Sequence, residues 1–133
     1  MSLSIGRHIA SALGKSSAVT DIVGNRIYPI IMPQGTAYPF VQFETSTASP
    51  DYTKDGVAGD NHQIIVNCVA KTYWQSLELA EAVRSALELV TEEYDDYSVD
   101  DCRLDGCEED YINELDAFVS TLTFSAESAN INN

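Results

Sequence analysis

Prolines at positions 29, 33 and 39 divide the stretch GNRIYPIIMPQGTAYPFVQF, residues 24–43, and no other feature limits the fold of this chain as strongly. Each proline fixes its own φ, removes a backbone N–H donor and turns the residue before it away from the α region. Tyr28, Met32 and Tyr38 are therefore biased to extended geometry, which excludes a helix. The missing donors also bar the segment from the middle of a sheet. Arg26 to Met32 is predicted as an edge strand or extended arm, with Pro33-Gln34-Gly35 as a turn.

Before this stretch, Ile5, Ile9, Ala12 and Leu13 recur at helical spacing. Ser2 or Ser4 can cap the start and Gly14 can close the end in a left-handed conformation. Ser17 is predicted to cap a short turn carrying Val19, Ile22 and Val23, which Gly24 stops. Beyond the prolines, Phe40 to Thr47 is rich in β-formers and reads as a strand. SPDYTKDGVAGDN, residues 49–61, has the composition of a mobile loop or a long hairpin tip, with no packed element. QIIVNCVA, residues 63–70, puts Ile64, Val66, Cys68 and Ala70 on one face and Ile65, Asn67 and Val69 on the other, a strand buried mainly on one side.

The clearest helix follows. Thr72 and Gln75 form a capping-box pair, and Tyr73, Leu77, Ala80, Val83, Leu87 and Val90 step by three or four. Trp74, Leu79 and Ala86 widen that stripe, consistent with deeper burial or with a subunit contact. After an acidic turn from Glu92 to Tyr97, Val99 to Leu104 is a plausible strand despite its aspartates. Ala117 to Ala126 is a strand with Phe118, Leu122, Phe124 and Ala126 on one face, and SANINN frays after it. The order α, β, β, β, α, β, β predicts an α+β domain spanning residues 1–133. Its antiparallel or mixed sheet has about four to five strands, with two helices packed on one face.

Charge narrows the function. With 21 acids against 7 bases the formal charge is −14, which disfavours direct binding to nucleic-acid phosphates. Twelve of the acids fall between Glu92 and Asp116, where Arg103 is the only base; a solvated, loop-rich face is the plain reading. No window approaches the roughly 18 apolar residues of a membrane span, and Gly6, Arg7 and His8 interrupt the opening segment, so neither a membrane span nor a signal peptide is expected. Cysteines 68, 102 and 107 are odd in number and lack CxxC spacing, which points to reduced thiols in a cytosolic setting.

No catalytic, cofactor or metal residues are assigned. His8 and His62 stand apart from any HExxH or Cys-His arrangement, with His62 placed in the glycine-rich loop, and the glycines form no phosphate cradle. Asp101, Arg103, Asp105 and Gly106 mimic a calcium-loop register. It fails at Arg103 in the third position and at Ile112 in the twelfth, where a bidentate Glu is needed. Cys102 and Cys107 read as packed thiols, since no further N or S ligand lies near them in sequence.

Taken in order, Arg26-Ile27-Tyr28-Pro29, Pro33-Gln34-Gly35, Pro39-Phe40-Val41 and the Tyr52-Thr53 to Asp55-Gly56 loop form a recognisable pattern. A strand ending in Cys68, Leu79-Ala80-Glu81-Ala82-Val83-Arg84, Leu104-Asp105-Gly106 and Asp110-Tyr111 continue it. Over nearly the whole chain this resembles the tail-terminator, or tail-completion, proteins of long-tailed bacteriophages and prophages. The resemblance implies a structural virion protein, assembled in the host bacterial cytoplasm and not an enzyme. It would form a ring, typically a hexamer, that ends tail-tube polymerisation and meets the head-completion or connector proteins. Its partners would be further copies of itself, the tube protein and the head-side protein, with no membrane and no direct nucleic-acid contact while DNA passes through the ring.

On that reading a stiff, donor-poor arm loses little entropy on docking. Arg26, Tyr28, Pro29, Pro33, Gln34 and Pro39 are the expected subunit-interface residues, whereas Ile27, Ile30, Phe40 and Val41 either join them or complete the core. The acidic stretch is richer than the family pattern. Asp95, Asp96, Asp100, Asp101, Glu108 and Glu109 are expected to face the lumen or rim, where a negative wall passes DNA without retaining it. Two rivals stand beside this: a DNA-mimic inhibitor offering carboxylates to a basic partner, and a small hydrolase with a carboxylate-bound metal.

Overall fold

The computed structural model describes residues 5–53, 56–94 and 97–130, with side chains at all of these except 47–49, 51–53, 56–58, 101 and 130. The expected Ser2 or Ser4 cap, the tip residue Asp55 and the acids Asp95 and Asp96 lie outside the described residues, as does the Asp101 side chain.

Helix α1 spans Ile5–Lys15 and buries Ile5, His8, Ile9 and Leu13, one stripe at three- and four-residue spacing. Gly14 does not close it. The helix continues to Lys15, and Ser16 at once caps the next one, its Oγ accepting from Val19 N at 3.3 Å. The cap thus stands one residue earlier than expected, and the predicted turn is a helix, α2, Ser17–Val23, ended by Gly24 at φ 62°. Helix α3, Tyr73–Leu87, begins at Thr72, whose Oγ1 accepts from Gln75 N. It faces the core with Ser76, Leu79, Ala80, Ala82, Val83 and Leu87. The buried stripe is rotated from the predicted one, so Tyr73 and Leu77 sit at its margin and Trp74 projects into solvent.

Six strands form one sheet: β1 (Ile27–Pro29), β2 (Phe40–Thr53), β3 (Gly56–Ala70), β4 (Glu92–Glu93), β5 (Tyr97–Ile112) and β6 (Ala117–Asn130). They lie in the order β1-β2-β3-β6-β5-β4, antiparallel except for β1 beside β2. The sheet is therefore mixed, with six strands and three helices where sequence suggested four to five and two. Strand β1 is the edge element that the prolines predict; the strand beyond expectation is β4, a two-residue edge too short to carry an alternating pattern.

Three further corrections follow from pairing overriding local composition. Residues 49–53 and 56–61 are not free of packing: they belong to β2 and β3, paired as the hairpin that was one of the two expectations, and Gly59 lies so close to β6 that an added Cβ would clash with the Ser128 carbonyl oxygen. His62 is therefore in a strand, 3% exposed, with Nε2 2.7 Å from Ser128 Oγ. Strand β5 runs far past Leu104 through the whole calcium-like register, and β6 carries Ser128 of the supposed frayed end into a buried position.

The helices cover one face of the sheet, with α3 over β3 and β6. Ile9, Leu13, Val41, Ile64, Val66, Leu79, Val83, Leu122 and Phe124 form the core between. Each fully buried aliphatic side chain contributes roughly 1.5–3 kcal/mol. Cys68 and Cys102 are buried in that core and Cys107 is exposed, so only two of the three thiols are packed; burial pushes the Cys102 thiol up to about 11. Among the described residues no helix is long and apolar enough to cross a membrane.

Candidate interaction surface

The opposite face of the sheet is half covered by the proline arm. Phe40, Val69, Ala117 and Val119 form a second, smaller core there, closed by Tyr28, Met32, Tyr38, Ile112 and Leu115. Val69, which sequence placed on the wetter face of its strand, is buried for this reason.

The arm is built from β1 outward. Prolines make it stiff, and hydrogen bonds fix its course. Ile31 N donates to Pro29 O at 2.7 Å across Ile30, whose φ is +67°. This is a γ-turn of the rare positive-φ kind, with a β-branched residue at its centre. Such a conformation costs about 1–3 kcal/mol and persists only where its surroundings hold it. Here both backbone groups of Ile30 are held: its N–H donates to Phe43 O at 2.7 Å, and its carbonyl accepts from Gln42 Nε2 at 2.5 Å. The consequence is display. Ile30 and Ile31 are 76% and 77% exposed, side by side on a fixed support.

A polar row extends from this anchor across the sheet. Gln42, Asn67, Thr121 and Glu108 are register partners on four adjacent strands. Asn67 Nδ2 donates to Gln42 Oε1 at 2.6 Å, and Thr121 Oγ1 donates to Asn67 Oδ1 at 2.7 Å. Beyond the row, Glu108 and Asp110 stand exposed on the same face of β5. Glu109 points to the helix side, where its bond to the Tyr73 hydroxyl raises the tyrosine pKa. Arm and β5 thus bound a groove of ≈ 580 Å³, with Ile30–Met32 on one wall, Phe40, Val69 and Val119 along the floor, and both the carboxylates Glu108 and Asp110 and the apolar Ile112 and Leu115 on the β5 side.

The expected interface residues divide. Pro29, Pro33 and Gln34 are exposed, Gln34 at the tip of a turn in which Thr36 N reaches Pro33 O at 3.2 Å and Gly35 takes φ 81°. Arg26 and Tyr28 are half-buried and engaged within the subunit: Arg26 Nε donates to Pro39 O at 2.9 Å, and the Tyr28 and Phe40 rings lie 6.3 Å apart. Pro39 is buried and follows a cis peptide bond. Of the four apolar residues left between core and contact, Phe40 and Val41 are core, Ile27 packs against it, and Ile30 turns outward. Of the acids, Asp100, Glu108 and Glu109 are exposed. Sequence reasoning passed over Ile31 and the Gln42-Asn67-Thr121 row. Ile31 had a signal in its place between prolines, but the row needs strand register to be seen.

Among the described residues no three His, Cys, Asp or Glu side chains are grouped so as to hold a metal ion. The fold and this face define an α+β sheet protein with a braced, exposed arm beside an acidic strand. The chain belongs to the family described as Tail completion protein gp17, which it matches over residues 7–127, and it is thus a structural protein of a phage-type virion tail. No curated protein matches it. Among solved structures it is similar to a chain of the virion of a native gene transfer agent particle. The TM-score is 0.79 at 17% identity, covering 91% of each chain, a likeness of fold.

Proposed function

We propose that this protein forms a ring, as a hexamer, on the end of the tail tube, where it stops tube polymerisation and offers its other side to the head-completion proteins. The observation that carries this is the pair Ile30 and Ile31, displayed on a strained and doubly hydrogen-bonded turn in a member of a tail-completion family. Two adjacent large aliphatics at more than three-quarters exposure are a poor use of apolar surface unless a partner covers them. The same lip carries Pro29, Pro33 and Gln34, which make up the rest of the proposed subunit contact, while Arg26, Tyr28 and Pro39 serve that contact from within the subunit by setting the lip's path. Asp100, Asp101, Glu108 and Glu109, with Asp95 and Asp96, are assigned to the lumen or rim, where their charge repels passing DNA. The role is one of assembly rather than catalysis.

Purified tail tubes lacking their terminator provide the test. Added protein should bind one tube end as a ring visible by electron microscopy and block further elongation by tube subunits. Tubes that elongate at an unchanged rate, with no density at their ends, would overturn the proposal.

A further inference from the structure

We infer that the aromatic row Trp74, Tyr73, Phe118 and Tyr111 receives the proline arm of a neighbouring copy, so that the ring closes head to tail. This deepens the assembly role given above and rests on it. An arm that met another arm would join two copies about a two-fold axis and stop there. A larger ring needs the arm of each copy to meet a different surface on the next. Among the described residues, the large apolar side chains exposed outside the arm are Trp74, Tyr111 and Leu89. Trp74 and Tyr111 belong to one surface, because Tyr73 and Phe118 lie between them. Ring centroids are 5.2 Å apart from Trp74 to Tyr73, 6.1 Å from Tyr73 to Phe118 and 5.0 Å from Phe118 to Tyr111. Both tyrosine hydroxyls are tied down, Tyr73 to Glu109 and Tyr111 to Asp116, which fixes the rings and leaves their faces for contact. Leu89 stands apart, past the opposite end of α3.

Position and charge both select the arm as occupant. Three strands separate β1, which carries the arm, from β5, which carries Tyr111, a distance of about 19 Å at the usual strand spacing. The row lies on the helix side of the sheet and the arm on the other face. Each copy can therefore offer an arm at one edge and receive one at the other. Glu109 and Asp116 border the row, and each copy carries −14, so most of a second copy's surface would be repelled there. Residues 27–43 are the longest run of the chain without an acid or a base, and they contain the whole arm. Its prolines and isoleucines suit aromatic faces, as proline-rich segments do in aromatic-lined grooves, and its stiffness keeps the entropy lost on docking small.

Trp74 is the only tryptophan of the chain, so its fluorescence reports the contact while light scattering reports the size of the assembly. As the wild type associates with rising concentration, the emission should move to shorter wavelength and quenching by acrylamide should fall. Trp74→Asp should form no rings. Leu89→Asp, the same charge change at an exposed apolar residue outside the row, should assemble as the wild type does, with melting curves verifying that each variant folds. An equimolar mixture of Trp74→Asp and Ile30→Asp/Ile31→Asp should give a dimer of one copy of each and nothing larger, since only one intact arm meets one intact row, and its single tryptophan should show the shifted emission. Rings formed by Trp74→Asp, unshifted emission in assembled wild type, or a mixture that stays monomeric would each overturn the row as receiver while leaving the ring standing. Open-ended wild-type chains with shifted emission would reject only the closed ring. No association in the wild type or the mixture would reject both.

Discussion

Asn67 donates from Nδ2 to Gln42 Oε1 at 2.6 Å, and through Gln42 it reaches the backbone carbonyl of Ile30 in the proline arm. A strand in the middle of the sheet thereby governs a loop beyond its edge. Asn67→Ala should cost about 1–3 kcal/mol, because Gln42 and Thr121 each lose a part-buried partner, and thermal denaturation would read it. The arm around residues 30–37 should also become more open to limited proteolysis. Unchanged melting and an unchanged digestion pattern would show that the row does not hold the arm.

Ile30 gives the second prediction. A β-branched residue at φ +67° is strained, so Ile30→Gly should leave stability unchanged or raise it by about 1 kcal/mol, the opposite of a glycine substitution at ordinary φ. Assembly should weaken in the same variant. A loss of stability comparable to a core truncation would mean that the side chain packs in the isolated subunit.

Much of this architecture was legible in the chain, and what was not had physical causes. The alternation of Ile64, Val66, Cys68 and Ala70 and the periodicity of α3 are one-face patterns, and they were seen because one face of the sheet is the core. The prolines announced an edge element at β1. For residues 49–61 a hairpin tip was one of two expectations, but the strand pairing that reaches into it was hidden because Gly59 is there for its small size beside Ser128, and in sequence a glycine needed for close approach looks the same as one in a turn. The continuation of β5 past the expected Leu104 was hidden by Asp105, Glu108, Glu109 and Asp110, which depress β-propensity, though pairing with β6 prevails. On the arm, Pro29, Pro33 and Gln34 were legible as exposed residues. The left-handed turn that displays Ile30 had no local signal, since isoleucine is among the residues least suited to it.

The glycines furnish a paired prediction. Gly59→Ala places a Cβ 2.2 Å from the Ser128 carbonyl oxygen, forcing β3 and β6 apart at a cost of about 2 kcal/mol or more. Gly6→Ala, inside α1 with nothing within 4 Å, should stabilise by about 0.5–1 kcal/mol. Chemical denaturation of the two variants should shift in opposite directions, and a common direction would contradict the packing described.

His8 sets a pH dependence. It is 1% exposed, its Nδ1 lies 2.9 Å from the Tyr94 hydroxyl, and its Nε2 has no hydrogen-bond partner among the described residues. Burial lowers its pKa from the ordinary 6.5; Glu92 opposes the shift and Lys15 adds to it. The folded state therefore favours the neutral ring. This contribution to stability is fully present above the ordinary value and is lost as pH falls below it toward the lowered one. Between about pH 7 and about pH 5 the wild type should lose stability more steeply than His8→Asn, and parallel pH profiles would reject the assignment.

The central claim, that copies of this chain cohere through the displayed isoleucines of the arm, is tested most directly by light scattering coupled to size exclusion across concentration, comparing the wild type with Ile30→Asp/Ile31→Asp. The account predicts a large closed species that grows with wild-type concentration, and a double variant that stays a folded monomer with an unchanged melting temperature. A wild type that remains monomeric throughout, or a double variant that assembles equally well, would contradict it.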